Sequence, residues 1–239
     1  MNRAAGAVLD LLFPQARCLN CGEPRELDAG SALCDGCRAA LEGLRVPGNA
    51  CPRCLSPTKA GEPCGYCLGG GLPSVRAAYA PFLYRGAARR LVVHLKFGPF
   101  ELAARPLAAA MARCVSGLAF DALVPVPLHR RGLRARGANQ SALLAGGVSG
   151  ETGIPVREAL VKRRETRRQS SLSARARETN VRLAFKARDN VRGLHLLLVD
   201  DVRTTGATAQ DCARALLAAG AEAVSLLTAA VAWPGGEDG

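Results

Sequence analysis

Apolar positions along the chain gather into short continuous runs separated by charged or Gly-rich stretches. Residues 120–126, 195–200 and 223–232 are runs of Val, Leu and Ala that read as strands buried on both faces, as in a parallel sheet. Residues 154–160 and 181–185 are further strand candidates, the second expected to re-enter the same sheet, and 75–84 alternates enough to be strand-like. Helical spacing marks 86–96 through Ala87, Leu91, Val92 and Leu95, then 101–115, 141–148 and 209–220. Together these elements predict an α/β domain, a parallel sheet flanked by helices. His94 and Lys96 fall near a helix end, where capping charge and ligand contact are equal candidates. Cys212 is expected in the core, and Cys114 as a small apolar residue.

The run 196–200 ends on Asp200 and Asp201 and passes through Val202 and Arg203 into Thr204, Thr205, Gly206, Ala207 and Thr208, after which an alanine-rich helix begins. Consecutive backbone N–H groups and threonine hydroxyls at a helix N-terminus form a cradle for a phosphate, because the macrodipole is positive there. Gly206 lets the backbone come close to the anion. A carboxylate beside a phosphate is repelled unless a cation or hydroxyl lies between them, so Asp200 and Asp201 suit ribose hydroxyls or Mg²⁺. A 5′-phosphate, a diol and a Mg²⁺-bound pyrophosphate occur together in phosphoribosyl pyrophosphate (PRPP). The stretch resembles the PRPP loop of the type I phosphoribosyltransferases, which makes residues 200–208 the expected PRPP-binding set. A plain buried strand with a capped helix is the alternative, although two adjacent acids at a strand end serve no packing purpose.

Eight of the ten cysteines stand in four Cys-x-x-Cys pairs, Cys18/Cys21, Cys34/Cys37, Cys51/Cys54 and Cys64/Cys67, with Gly22, Gly36 and Gly65 beside them for tight turns. This spacing is a strong zinc signal. The simplest assignment puts one tetrahedral Zn²⁺ on the first two pairs and a second on the last two; an interleaved pairing stays open. Four thiolates fill each shell and leave no place for substrate, so both sites are expected to be structural, with a redox role as the competing reading. A segment of about 50 residues with few large apolar side chains draws much of its folding energy from the metal. Metal spacing in place of a disulfide framework implies the cytoplasm.

The Gly-rich break at 68–73 separates an expected zinc-ribbon domain, 1–70, from a larger domain, 75–233. Asp10 interrupts the apolar stretch at the N-terminus and no small-residue cleavage site follows, so 1–14 reads as a short packing helix and not a signal peptide. No run approaches the roughly 18 apolar residues of a membrane span, and no membrane insertion is expected.

The net charge of +12 is concentrated: residues 126–192 hold sixteen Arg or Lys against five acids, a surplus of +11. An anionic partner, polyphosphate or nucleic acid, is implied. Strand 120–126 runs into Leu128, His129, Arg130 and Arg131, an Arg-rich turn suited to a second anion, here the pyrophosphate. Lys162, Arg163, Arg164, Arg167 and Arg168 belong to a longer cationic stretch, 161–180, expected to be a flexible lid; a solvated charged face is the alternative. Only ten residues are aromatic, few for a platform that stacks bases. No Walker lysine motif or Gly-x-Gly-x-x-Gly turn occurs, so ATP hydrolysis and dinucleotide redox chemistry fall away.

The order of these motifs resembles the ComF family, ComFC- and GntX-like proteins, over nearly the whole chain. The residues that carry the resemblance are Leu12-Phe-Pro, Leu95-Lys-Phe, Val124-Pro-Val-Pro-Leu, Arg136-Gly-Ala-Asn-Gln-Ser, Thr166-x-x-Gln-x-x-Leu, Arg177-x-x-Asn180 through Phe185, and the acid-Thr loop. The resemblance implies a type I phosphoribosyltransferase-like domain behind a double zinc ribbon, with structural zinc and PRPP-bound Mg²⁺ as cofactors. It also implies a role in natural transformation, with single-stranded DNA and competence-machinery proteins as partners. Ala138 stands where the family usually has an aromatic, and Thr204 where 6-oxopurine salvage enzymes carry an acid that serves the base, which argues against purine salvage of that kind. No histidine or acid is evidently placed to activate a nucleophile, so the sequence identifies no catalytic residue. Two functions compete: a PRPP-binding protein that assists imported DNA, and an active PRPP-dependent transferase of nucleotide metabolism.

Overall fold

The computed structural model describes residues 17–24, 32–59, 62–98, 100–163 and 184–233. In chain order these form α1 (Asp35–Glu42), α2 (Gly65–Leu68), β1 (Ala78–Tyr79), β2 (Phe82–Leu83), α3 (Gly86–Phe97), α4 (Phe100–Cys114), β3 (Ala122–Pro125), α5 (Arg130–Arg136) and α6 (Gln140–Thr152). They continue with β4 (Leu160–Lys162), β5 (Phe185–Ala187), β6 (His195–Arg203), α7 (Ala207–Ala218) and β7 (Ala223–Val231). The helix expected over 1–14, together with Arg164, Arg167 and Arg168, lies outside the described residues. No helix among the described residues is long and apolar enough to cross a membrane.

The named strands of the main sheet pair in parallel, with a lone antiparallel bridge from Arg45 to Phe82: β3 lies beside β6, β6 beside β7, and both β1 and β2 along the far side of β7. Ala78 is level with Leu226 and Phe82 with Ala230, so the stretch expected as one strand is a single edge interrupted at Ala80 and Pro81. Proline has no N–H to give to the ladder, and a break at an edge costs little. In the interior, Leu196–Val199 of β6 and all of β7 are buried, because helices or ribbons cover both faces.

Alternate residues of these strands feed two cores. Leu197, Val199, Leu227 and Ala229 pack under α3, α4 and α6, together with Cys18, Cys34, Cys37 and Leu41 of the first cysteine region. Leu196, Leu198 and Leu226 pack under α7, together with Cys51, Cys54, Leu72 and Val75 of the second. Burial of each such leucine stabilises by about 1.5–3 kcal/mol. On the first face, α4 and α6 touch closely at Gly147, where a Cβ would stand 2.6 Å from that of Ala108.

Two strand expectations are corrected. Residues 154–160 contribute a single parallel bridge, Val156 to Leu123, and strand β4 begins only at Leu160. Of the strand expected over 181–185, residues 181–183 lie outside the described residues, and Phe185 opens β5, which does not join the main sheet but pairs antiparallel with β4, Phe185 opposite Lys162. The reason lies in α7. Its Asp211, only 4 % exposed, accepts the Ala184 amide at 2.9 Å and pairs with Arg214, while Phe185 and Leu160 bury in the core beneath α7. The β4–β5 pair is therefore tied to the helix instead of extending the sheet.

Candidate functional site

The cysteine quartets are consecutive, not interleaved. Cys18, Cys21, Cys34 and Cys37 bring their Sγ atoms within 4.8 Å of one another, and Cys51, Cys54, Cys64 and Cys67 do the same. In the second group Sγ–Sγ distances of 3.9 Å (Cys51 to Cys67) and 3.6 Å (Cys54 to Cys64) are close to the ~3.8 Å edge of a tetrahedron with Zn–S bonds of about 2.3 Å. Local folding explains the approach. Each knuckle turns back on itself, Gly22 N–H to the Cys18 carbonyl and Leu55 N–H to the Cys51 carbonyl, both at 2.8 Å, while Cys34 and Cys64 begin α1 and α2. Zinc fits both quartets, and with four thiolates in each shell it serves structure and not chemistry.

At the C-terminal end of β6 the acids come to rest on specific partners. Asp200 Oδ1 accepts from the Ser141 hydroxyl at 3.0 Å and from the Asp201 amide at 2.9 Å. Asp201 Oδ1 accepts the Val202 amide at 2.7 Å, and its Oδ2 meets Lys96 Nζ at 2.6 Å. Lys96 and Ser141 join the candidate site beside the two acids, and the sequence assigned neither to it. For Lys96 capping charge and ligand contact are equal candidates in the sequence, and nothing in the pattern links it to an acid 105 positions later. Thr204 and Thr205 follow, exposed, and Gly206 caps α7 at φ +73, a conformation natural to glycine. The first helical bond of α7 comes from Gln210 N–H to the Gly206 carbonyl, so the N–H groups of Ala207, Thr208 and Ala209 precede the ladder. Asp200, Val202 and Thr204–Thr208 share a cavity of about 90 Å³. Arg203 also borders it, but its guanidinium is directed to the second ribbon, donating to Ser56 Oγ at 3.3 Å.

Burial and the neighbouring Asp201 charge push the Asp200 carboxyl up to about 7, against the opposing effects of the Asp201 amide, the Ser141 hydroxyl and Lys96. An acid raised in the fold keeps its proton where the unfolded chain has lost it. Its stabilising contribution is therefore complete below the unfolded value of 3.8, falls as pH rises, and is gone above about 7. Measured against Asp200→Asn, the denaturant midpoint of the parent should drop between about pH 4 and about pH 7 and then level off. A difference constant across that range would rule the perturbation out.

The Arg-rich turn after β3 is not a loop but the seven-residue helix α5, capped by His129, whose Nδ1 accepts the Arg131 amide at 3.4 Å. Asn139 then caps α6 and donates to the Val126 carbonyl at 3.2 Å, which places Ser141 at Asp200. Leu128 and Lys162 line one cavity of about 510 Å³, with Leu133, Asn139, Leu160 and Glu158. Of the expected pyrophosphate turn Leu128, and of the expected lid Lys162, thus border the same opening. Lys162 itself stands in β4, its Nζ 5.3 Å from the centre of the Phe185 ring, and Arg163 follows, its amide bonded to the Ala184 carbonyl.

Residues 8–68 match the pattern described as a double zinc ribbon domain. Over 203 residues the chain is 36 % identical to the DNA utilization protein YhgH of Escherichia coli (strain K12), covering 80 % of this chain and 87 % of that protein. It is 34 % identical over 110 residues to competence protein F of Haemophilus influenzae, or 44 % of this chain and 48 % of that one. The solved structure of glutamine PRPP amidotransferase from B. subtilis is similar at a TM-score of 0.41 and 25 % identity, over 58 % of this chain and 30 % of that chain. With a ribbon pattern that spans both cysteine quartets and an alignment to YhgH across 80 % of its length, the chain belongs to the YhgH/ComF family.

Proposed function

We propose that the chain binds PRPP at the end of β6 and assists the handling of imported single-stranded DNA in the cytoplasm, as a phosphoribosyltransferase-like protein of DNA utilization. The observation that carries this reading is the convergence of Asp200 with the Gly206-capped start of α7 on one cavity. Asp200 and Asp201, steadied by Ser141 and Lys96, offer acceptors to the ribose diol, and Lys96 offsets the repulsion between the acid pair and an incoming anion. Residues 204–208 receive the 5′-phosphate. Leu128, His129, Arg130 and Arg131 form the pyrophosphate side, where Mg²⁺ accompanies the ligand. The names of the relatives, DNA utilization protein and competence protein, support the assignment to DNA, as does the surplus of +11 over residues 126–192.

Calorimetry tests the reading: PRPP with and without Mg²⁺, followed by single-stranded DNA at several salt concentrations. Binding of PRPP is expected to require Mg²⁺, and DNA affinity to fall with salt at a log–log slope of about 0.7 per phosphate contact. Replacing Lys162, Arg163, Arg164, Arg167 and Arg168 by Gln should flatten that slope, and an unaltered slope would remove these residues from the DNA contact. Rapid transfer to common bases is not expected. Among the described residues that line the larger cavity there is no histidine, and the one acid, Glu158, is paired with Arg188 at 2.5 Å. Brisk release of pyrophosphate with adenine, guanine, uracil or orotate would install the transferase reading in its place.

A further inference from the structure

The second cysteine quartet is built into the wall of the phosphate cradle. Tyr66, between Cys64 and Cys67, donates its hydroxyl to the Thr205 carbonyl at 2.8 Å. Arg203, 5 % exposed, donates to Ser56 Oγ at 3.3 Å and to the Thr204 carbonyl at 3.2 Å, with its guanidinium carbon 5.6 Å from the centre of the Tyr66 ring. Leu72, just beyond the last cysteine, lies so close to Gly206 that a Cβ there would come 2.5 Å from its Cδ2. Ser74 and Gln210 bond each other twice, at 3.1 and 2.7 Å, and Trp233 donates to the Leu55 carbonyl at 2.8 Å. The first quartet has no such link to the cradle among the described residues; it packs in the other core.

Peptide planarity turns these contacts into a statement about the cradle. In a trans peptide the C=O and the following N–H point in opposite directions. Drawing the Thr204 and Thr205 carbonyls toward the ribbon therefore aims the N–H groups of Thr205 and Gly206 away from it. Those are donors that a phosphate in the cradle would use. A quartet of thiolates around Zn²⁺ also carries net negative charge, which the buried Arg203 guanidinium offsets.

We infer that the Cys51/Cys54/Cys64/Cys67 site sets the shape of the anion loop, with Tyr66 and Arg203 as positioning residues: metal at this site holds 204–206 ready for a phosphomonoester, and its loss releases the loop. Metal at the first quartet does not exert this control. The inference rests on the anion-cradle reading proposed above, but its principal test does not need a ligand.

That test is hydrogen exchange across residues 204–208 in the full chain, with β7 as an internal reference for global opening. Tyr66→Phe, which keeps every cysteine and the ring, should retain both zincs by elemental analysis and speed exchange of the loop about two- to tenfold, as expected for one lost hydrogen bond. Cys64→Ser should speed it further and beyond any change in β7, whereas Cys18→Ser should speed the loop no more than β7 itself. Inorganic phosphate and PRPP, titrated into the same variants, should weaken in the same order. Loop exchange that is unaltered in Tyr66→Phe and Cys64→Ser, or equally raised beyond β7 by Cys18→Ser, overturns the inference. If loop exchange shifts as described while neither anion binds the parent, the coupling stands and it is the PRPP reading that fails.

Discussion

Two zinc ions per chain, retained through purification in buffer without chelator, are the expected content of this protein, and their removal should unfold both ribbons. The two quartets bring their sulphurs within 4.8 Å, a spacing that four thiols hold poorly against their own repulsion once ionised and that a divalent cation holds well. Little else stabilises these segments: α1 has eight residues and buries Cys37 and Leu41, and α2 has four and buries none. Structural zinc contributes about 10–16 kcal/mol at each such site, more than the packing of a ribbon can replace. Chelation, or Cys18→Ser and Cys64→Ser separately, should thus abolish protease resistance in the affected ribbon. Because Leu41 and Leu72 join the cores of the sheet, some loss of stability should also be felt there. Elemental analysis decides the matter, and a content of one zinc or none would refute the two-site assignment.

Replacing Asp200 and Asp201 together by Asn should abolish Mg²⁺-dependent PRPP binding and leave the fold standing. Each charge-assisted bond to the ribose contributes about 1.5–3 kcal/mol, so losing one at each acid lowers affinity by two orders of magnitude or more. The fold survives because Asp200→Asn keeps an oxygen for Ser141 and the Asp201 amide while ending the cost of a buried charge at a carboxyl raised to about 7. Lys96, deprived of its partner at 2.6 Å, is only partly buried and can turn to water. Calorimetry with PRPP and Mg²⁺ and a thermal melt form the paired measurement. Unaltered affinity would show that the acids do not hold the ribose, and a collapsed melt would show that they are structural.

Those two expectations draw on different sources. Sequence alone determined the elements whose information is local. The continuous apolar run of β6 reports burial on both faces, the helical spacing from Ala87 to Leu95 appears as α3, and the Thr-Thr-Gly turn marks the start of α7. The Cys-x-x-Cys spacing is likewise local, since a knuckle of four residues presents two sulphurs whatever lies elsewhere.

What meets across the chain depends on how distant elements pack. The pairing of the quartets, Lys96 on Asp201, Ser141 on Asp200 and Tyr66 on Thr205 join residues 59 to 139 positions apart or depend on how ribbons seat on a sheet. Periodicity records which side of an element is apolar, not which polar group it will face. The same limit explains the strand expected at 181–185: its described residues, Ala184 and Phe185, are buried as the apolar pattern implies, but against α7, where Asp211 accepts the Ala184 amide, and not in the main sheet.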